Sequence, residues 1–341
     1  MTSQNGKTAL ITGASGGIGL ELARLFAQDG YDLILVARSD DKLQQLAQEL
    51  RESHGNLNVT VIPKDLSQEN SGRELYQEVQ QRSVFVNVLV NDAGVGHYGA
   101  FATETDWEKE SAMIRLNMVS LTELTKLFLF DMVARKEGRI LNLASMTSLV
   151  PSPLMAVYSG TKAYVYQFTQ ALANELKDSP VTITALLPNA TATDFFNKAG
   201  AQNARVTEQL DDPVQVARAG YEALMKGRTK VVPGGLKNKS FAALSNIVPT
   251  EALTGMMRKN MEPREQKPIY VTKKTQKKLA LGLGLVAVGL VGYALVRAYD
   301  SLSWYDKARY RYRLNQAGRR IRQAVDRTTN KTRATVAEAL S

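Results

Sequence analysis

Two periodicities of apolar residues alternate along the first 235 residues of the chain. Short apolar runs bounded by turn-forming residues are typical of buried strands, and they occur at residues 7–13, 31–38, 58–65, 86–94, 138–145, 180–188 and 228–234. The stretches between them place apolar residues at helical spacing, for example Ile18, Leu22 and Phe26. Strands that alternate with helices pair in parallel, and strands that are apolar throughout are covered on both faces. We therefore predict an α/β fold with a doubly wound, mostly parallel sheet of about seven strands.

The pattern changes after residue 235, where an amphipathic extension and linker at residues 236–278 precede an uncharged run at residues 279–296. A helix of this length extends about 27 Å at about 1.5 Å per residue, close to the roughly 30 Å of a bilayer core. We therefore predict a single transmembrane helix; a hairpin, an interfacial segment and a buried core helix are the alternatives. The chain thus divides into a domain of residues 1–235, the extension, the membrane segment and a basic tail at residues 297–341.

The formal net charge of +10 is concentrated in the last part of the chain. Residues 273–341 hold 15 Lys+Arg and 4 Asp+Glu, whereas the preceding 272 residues hold 28 Lys+Arg and 29 Asp+Glu and are nearly neutral. The basic flanks of the membrane segment, and an N-terminus without a secretory signal pattern, predict that the larger domain lies in the cytosol. Four apolar residues of the tail recur at helical spacing beside many arginines: Leu314, Ala317, Ile321 and Val325. This stripe predicts either a helix lying on anionic lipid or a solvated tail, so the expected partner is the lipid bilayer and not a nucleic acid.

The composition excludes several kinds of chemistry. The chain has no cysteine, which excludes disulfides and thiolate catalysis. It has only two histidines, His54 and His97, and we therefore expect no metal site.

A glycine-rich turn, TGASGGIG at residues 12–19, follows the first predicted strand. Gly13, Gly17 and Gly19 let the chain turn tightly and let backbone amides approach a pyrophosphate, and the dipole of the next helix attracts that anion. A glycine cluster alone is also compatible with a simple tight turn. Its position between the first strand and the first helix favours a dinucleotide site.

The end of the second strand indicates which dinucleotide is bound. Sites that prefer NAD have an acidic residue here that holds the ribose 2′-hydroxyl, whereas this chain has Ala37 followed by Arg38. A guanidinium pairs well with a 2′-phosphate, and Ser15 in the glycine turn offers a further hydroxyl. We therefore predict NADP(H) as the cofactor; the alternative is that Arg38 is a solvated loop residue close to Asp40 and Asp41.

A third pattern indicates proton transfer at the carboxyl edge of the sheet. Ser145 ends a predicted strand, and Tyr158 and Lys162 follow at i and i+4, so that both side chains lie on one face of a helix. An ammonium beside a phenol lowers the tyrosine pKa, which allows the tyrosine to exchange a proton with a carbonyl oxygen. Such a pair can also be an ordinary helix surface pair, but the glycine turn and Ser145 favour catalysis.

These motifs together resemble those of the short-chain dehydrogenase/reductase family over roughly residues 5–235. The shared features are the glycine turn, NDAG at residues 91–94, the serine, and YSGTK at residues 158–162. The resemblance implies a Rossmann-like fold and a catalytic tetrad of Asn117, Ser145, Tyr158 and Lys162.

The resemblance also implies a role for each of these residues. Tyr158 is expected to be the general acid in reduction and the base in oxidation, while Ser145 hydrogen-bonds the substrate oxygen. Lys162 is expected to bind the nicotinamide ribose, and Asn117 to hold a water that relays protons. The residues implied for the cofactor are Gly13, Ser15, Gly17, Ile18, Gly19, Arg38, Asp65, Asn91, Ala93, Gly94, Tyr158, Lys162 and Thr193.

Two positions depart from the family pattern. Asp92 stands where the family usually has asparagine, so a carboxylate that only accepts hydrogen bonds replaces an amide. Asn189 replaces the glycine after the sixth strand, and asparagine tolerates the left-handed conformation better than most residues. Neither change affects the tetrad.

The loops expected to surround the substrate, at residues 94–101, 147–156 and 193–200, are apolar, and Lys198 is the one lysine or arginine in them. Their apolar members are Pro151, Pro153, Leu154, Met155, Phe195 and Phe196. We therefore predict an NADPH-dependent oxidoreductase that interconverts a hydrophobic ketone and a secondary alcohol, with an acyl, sterol or other lipid-like substrate. The alternative is a membrane-tethered NADP-binding scaffold without turnover. The resemblance further implies a homodimer or homotetramer, and it implies that the extension at residues 236–278 packs near the pocket, as in some members of the family.

Overall fold

The seven predicted strands form one parallel sheet. The computed structural model describes residues 6–55, 57–245 and 247–264. Its strands are β1 (Thr8–Thr12), β2 (Asp32–Ala37), β3 (Val59–Pro63), β4 (Val88–Asn91), β5 (Arg139–Leu143), β6 (Thr182–Leu186) and β7 (Lys230–Val231). Their order is β3-β2-β1-β4-β5-β6-β7, which reverses between β1 and β4. Open parallel sheets bind ligands outside the carboxyl ends of the strands at such a reversal.

Helices connect the strands and follow the last of them. Those of the described residues are α1 (Gly17–Gln28), α2 (Asp40–His54), α3 (Ser71–Gln81), α4 (Trp107–Ile114), α5 (Leu121–Arg135), α6 (Ala156–Glu175), α7 (Phe195–Ala199), α8 (Pro213–Met225), α9 (Leu236–Leu244) and α10 (Thr250–Met261). A π-helical turn, Arg115–Ser120, joins α4 directly to α5.

Alternate residues of β1 enter two apolar clusters on opposite faces of the sheet. Ala9 and Ile11 pack with residues of α1, α2 and α8, whereas Leu10 packs with residues of α3 and α5. All three side chains are fully buried, at 0% exposure. Successive side chains of a strand point to opposite faces, so a strand that is apolar throughout needs cover on both. The prediction of a sheet with helices on both faces is therefore confirmed.

The first part of the predicted extension folds as α9 and α10. Helix α10 buries Leu253, Met257 and Met261, which share one helical face because they recur at every fourth position. Both helices belong to a compact unit, Met1–Glu265, that also contains the sheet. Within the part of the chain that the structure describes, no helix is long and apolar enough to cross a membrane. The predicted transmembrane run at residues 279–296 and the basic tail lie outside the described residues.

Candidate active site

A cavity of about 700 Å³ opens where the strands end. Residues that follow β1, β2, β4, β5 and β6 all contribute to its wall. The predicted site residues that line it are Gly13, Ser15, Gly17, Ile18, Arg38, Asp65, Ala93, Gly94, Ser145, Tyr158 and Thr193. One continuous cavity therefore brings the nucleotide motif and the proposed proton donor together.

The glycine turn after β1 is packed closely against the segment that follows β4. A Cβ atom on Gly13, which has a φ of 75°, would lie 2.8 Å from Oδ2 of Asp92 and 2.9 Å from the amide nitrogen of Ala93. A Cβ atom on Gly19 would lie 2.5 Å from the same carboxylate oxygen. Glycine is required here because a side chain would clash and because L-residues rarely adopt this φ. The turn thus leaves bare backbone at the N-terminus of α1, as a pyrophosphate site requires.

Charged residues after β2 and β3 line the same cavity. Burial raises the pKa of the Asp65 carboxyl, but hydrogen bonds from Ser67 (2.7 and 2.9 Å) and the charge of Arg38 outweigh it, and the net pKa is lowered. Lys64, which the sequence analysis did not identify, also lines this end and pairs with Glu74 at 3.1 Å. The cations of Arg38 and Lys64 suit a phosphate group at this end.

Asn117 lies in the π-helical turn, with 1% of its surface exposed. Its Oδ1 accepts from the amide of Val95 at 3.1 Å, and its Nδ2 donates to the Val95 carbonyl at 3.0 Å and to Oγ1 of Thr161 at 3.1 Å. A π-helical turn inside an α-helix is frequent at functional sites because it redirects side chains. Asn117 thereby joins the loop after β4 to the helix that carries Tyr158 and Lys162.

Ser145 and Tyr158 meet where β5 leads into α6. The hydroxyl of Ser145 lies close enough to the phenol of Tyr158 to lower its pKa, and both residues line the cavity. The amide of Ser145 donates to Oγ of Ser148 at 3.2 Å, and the Ser148 hydroxyl donates to the carbonyl of Lys162 at 2.8 Å. The ring of Phe195 lies 5.0 Å from that of Tyr158, measured between centroids. Two hydroxyl groups are thus held side by side against an aromatic wall.

Burial dominates the pKa values of the proposed catalytic pair. It raises the pKa of the Tyr158 phenol to about 12, against the lowering effect of the Ser145 hydroxyl. It lowers the pKa of the Lys162 ammonium to about 8, although the Asp92 carboxylate raises it. The Nζ atom of Lys162 donates to the Leu143 carbonyl at 2.6 Å and lies 6.0 Å from the centre of the Tyr158 ring. The expected lowering of the Tyr158 pKa is therefore wrong for this structure: the phenol is protonated at neutral pH, the form that an acid needs.

Another part of the cavity wall is largely apolar. Three of the predicted substrate residues line it: Met155, Phe195 and Phe196. Three more come from α9 and α10, in the extension that the resemblance places near the pocket: Phe241, Met257 and Met261. The remaining predicted apolar residues are absent from the wall: Pro151, Pro153 and Leu154. The chain beyond the sheet therefore completes the wall of this cavity.

Comparisons with known proteins decide the family. A model of the short chain dehydrogenases matches residues 7–204, which is more than half of the chain. This chain belongs to the short-chain dehydrogenase family. The very-long-chain 3-oxoacyl-CoA reductase of Coccidioides immitis is 36% identical over 175 residues, which are 50% of this chain and 50% of that protein. The 17-beta-hydroxysteroid dehydrogenase type 3 of Mus musculus is 32% identical over 214 residues, covering 62% of this chain and 67% of that protein.

The fold is also similar to solved members of the family. A short-chain dehydrogenase from Sphingobium yanoikuyae, solved in complex with NADPH, has a TM-score of 0.64 and 30% identity. The alignment covers 77% of this chain and 98% of that one. By contrast, the alignment with the Coccidioides immitis reductase spans only half of that protein's length.

Four of the predicted site residues in this short-chain dehydrogenase support the cavity without lining it: Gly19, Asn91, Asn117 and Lys162. Asn91 shows how this works. Its Nδ2 donates to Oδ1 of Asn142 at 2.9 Å and to Oγ1 of Thr125 at 3.1 Å, which ties β4 to β5 and α5. These bonds fix the strand ends from which the lining residues extend.

Asp92 is the departure from the family pattern that changes the electrostatics of the site. The backbone N–H of Gly19 lies near its carboxylate and lowers its pKa, whereas its Oδ1 is buried without a hydrogen-bond partner among the described residues. Burial raises the pKa of Asp92 to about 7, against the lowering effects of the Lys162 charge and the Gly19 N–H. An asparagine would be neutral here and would offer an amide donor.

We expect Asp92→Asn to stabilise this short-chain dehydrogenase most at alkaline pH. Folding raises the pKa of Asp92 from 3.8 to about 7, so the folded state favours the protonated carboxyl. The stability that this group contributes is therefore fully present below pH 3.8 and is lost as the pH rises from 3.8 through about 7. At about pH 8.5 the lowered pKa of Lys162 leaves little positive charge to compensate. The variant should therefore melt several degrees above the wild type at about pH 8.5, and by a smaller margin at about pH 5, where only part of the loss has occurred. An equal shift at both pH values in thermal unfolding contradicts this account.

Proposed function

We propose that this chain is an NADP(H)-dependent oxidoreductase that interconverts a hydrophobic ketone and a secondary alcohol. The observation that carries the proposal is the pair of hydroxyls, Ser145 and Tyr158, in a cavity whose wall also contains a glycine turn and apolar side chains. A protonated phenol beside a second hydroxyl suits proton transfer to a carbonyl oxygen. Membership of the family and the similarity to a dehydrogenase solved with NADPH support the same reaction.

The residues at the nucleotide end fit NADP(H). The amides of the glycine turn at the N-terminus of α1 would hold the pyrophosphate, and Arg38 would hold the 2′-phosphate. Asp65 would contact the adenine edge, and Thr193 the nicotinamide carboxamide. A Cβ atom on Gly17 would lie 3.0 Å from Cγ2 of Thr193, so glycine keeps this part of the cradle open. When bound, the cofactor supplies the hydride.

The chain's own residues handle the proton. In reduction, the phenol of Tyr158 donates its proton to the substrate oxygen as negative charge develops there. Ser145 hydrogen-bonds the same oxygen and stabilises that charge. Asn117 holds the water through which a proton returns by way of Lys162. The ring of Phe195 limits the access of bulk water, which strengthens the hydrogen bonds at the carbonyl.

The substrate that fits this cavity best is an acyl compound with a ketone, with sterol-type ketones as the second class. Phe241, Met257 and the other apolar residues of the wall favour a long or bulky hydrocarbon. Three cations line the same cavity and favour a substrate with an anionic carrier group: Lys198, Arg205 and Lys237. The similarity to a very-long-chain 3-oxoacyl-CoA reductase supports the first class, and that to a hydroxysteroid dehydrogenase the second.

NADPH oxidation in the presence of different ketones tests the proposed reaction. The panel contains a long-chain 3-oxoacyl thioester, a ketosteroid and a small polar keto acid. We expect turnover of the hydrophobic ketones and little turnover of the keto acid. Tight binding of NADPH without turnover in either direction would instead favour the competing function, an NADP-binding scaffold.

The preference for NADPH over NADH should depend on Arg38. A charge-assisted phosphate contact stabilises binding by about 1.5–3 kcal/mol, so the wild type should bind NADPH about ten- to a hundredfold more tightly than NADH. Arg38→Ala should weaken the binding of NADPH and leave the binding of NADH nearly unchanged, so the two affinities become similar. Arg82→Ala is the matched control, because this exposed arginine bonds Glu78 and lies outside the cavity wall. Titration of both reduced cofactors measures the ratio, and equal affinities in the wild type are incompatible with the proposal.

The proposed location of the enzyme follows from its sequence beyond the described residues. Residues 279–296 would anchor the chain in a bilayer as a single helix, and residues 1–235 would lie in the cytosol, where NADPH is supplied. A lipid-like substrate partitions into the same bilayer, which accounts for an anchor on this enzyme. We also expect a homodimer or homotetramer, as is common in the family.

A further inference from the structure

A second cavity, of about 650 Å³, is separate from the active site. It lies between α6, α8, β7 and α9 and shares no lining residue with the first cavity. Its volume is within the roughly 300–1,000 Å³ of small-molecule sites. Part of its wall is apolar, with Leu149, Leu187 and Val232 among the lining residues. Because no residue assigned to the cofactor or the reaction lines it, the proposed function leaves this cavity unexplained.

The rim of the second cavity is positively charged. Four exposed cations line it: Lys226, Arg228, Lys230 and Lys239. Glu222, the one carboxylate of its lining, pairs with Lys226 at 3.3 Å, and the Nζ atom of Lys230 lies 3.4 Å from the hydroxyl of Tyr166. The side chains of Arg228 and Lys239 have no hydrogen-bond or ion-pair partner among the described residues. An excess of cations beside an apolar wall attracts an anion with an apolar part.

We propose that the second cavity binds a phosphorylated amphiphile, a molecule with a phosphate head and one apolar chain. Arg228 and Lys239 offer charge-assisted hydrogen bonds to phosphate oxygens, and the apolar wall removes the chain from water. A second copy of this protein is a poor occupant. A twofold contact centred on this cavity would set the same four cations against one another across the interface.

Helix α9 connects this site to the reaction centre. Phe241 lines the active-site cavity and Lys239 lines the second cavity, so a single helix forms part of both walls. Ser148, which also lines the second cavity, accepts a hydrogen bond from the amide of Ser145 at 3.2 Å. A ligand that orders α9 should therefore change the KM for the ketone. This coupling rests on the proposed function, whereas the binding itself does not.

Calorimetric titration of the full chain with dodecyl phosphate, below its micelle concentration and with NADPH saturating, tests the site. Inorganic phosphate, which has only the head, and dodecanol, which has only the apolar chain with a neutral hydroxyl, are titrated for comparison. We expect dodecyl phosphate to bind at least about tenfold more tightly than either of these compounds, because head and chain are both held. The double variant Arg228→Ala/Lys239→Ala should weaken this binding by about tenfold or more. The double variant Arg82→Ala/Lys177→Ala removes the same charge from surface positions outside both cavities, and it should bind as the wild type does.

Each outcome decides one part of the proposal. If both double variants bind dodecyl phosphate equally more weakly than the wild type, the net positive charge of the protein attracts the ligand, and the proposed site is wrong. Equal binding of dodecanol and dodecyl phosphate, or unchanged binding in Arg228→Ala/Lys239→Ala, would also overturn it, the latter by showing that the ligand binds elsewhere. Binding that leaves the KM for a water-soluble ketone unchanged would overturn the coupling through α9.

Discussion

Replacing Tyr158 with phenylalanine is expected to lower kcat for ketone reduction by about a hundredfold to ten-thousandfold, the usual contribution of a general acid. The phenol lies beside Ser145 in the cavity and burial raises its pKa to about 12, so it holds its proton throughout the neutral range. Phenylalanine keeps the ring beside Phe195 but has no proton to donate. The affinity for NADPH should change little, and steady-state kinetics with a cofactor titration separates the two effects.

A second tyrosine of the same helix provides the control for this variant. Tyr164 donates or accepts a hydrogen bond with Thr122 at 2.8 Å and does not line the active-site cavity. Tyr164→Phe should therefore retain nearly full activity while losing one hydrogen bond, worth about 0.5–1.5 kcal/mol of stability. If Tyr158→Phe keeps more than about a tenth of the wild-type kcat, another group donates the proton and the assigned role of Tyr158 is wrong.

The arrangement of the sheet and of the Ser145–Tyr158 pair could be predicted from the sequence because both depend on local patterns. Apolar runs marked the strands, and the alternation with helices required parallel pairing. Ser145 lies two residues after the end of β5, and Tyr158 lies in the first turn of α6, so the connection between them brings their side chains to one edge of the sheet. The glycine turn was predictable for the same reason, since it lies between β1 and α1.

Features that depend on long-range burial could not be predicted in this way. The i, i+4 spacing placed Lys162 beside Tyr158, but it carried no information on the Leu143 carbonyl that Lys162 bonds or on the burial that raises the Tyr158 pKa. The π-helical turn at Asn117 has no periodic signature in the sequence. The packing of the extension near the cavity followed only from the family resemblance, because the recurrence of Leu253, Met257 and Met261 at every fourth position predicts a helix face but not what that face packs against.

The role of the predicted membrane segment gives the second large expected effect. A version that ends at residue 272 retains all of the compact unit Met1–Glu265, so it should fold and reduce a water-soluble ketone as the full chain does. It should lose about tenfold or more of the activity on a long-chain substrate presented in vesicles, because the anchor raises the effective concentration of enzyme at the bilayer without changing the cavity. Initial rates with both substrates measure the difference.

A second truncation separates the membrane segment from the basic tail. A version that ends at residue 296 keeps the uncharged run and removes residues 297–341, so it should float with liposomes and keep most of the vesicle activity. If only the full chain floats, the basic tail and not the run holds the protein at the membrane, as expected for a helix that lies on anionic lipid. Release of the full chain by alkaline carbonate would rule out a membrane-spanning run. Vesicle activity that survives both truncations would mean that the anchor sets only the location of the enzyme, and that the substrate reaches the cavity through water.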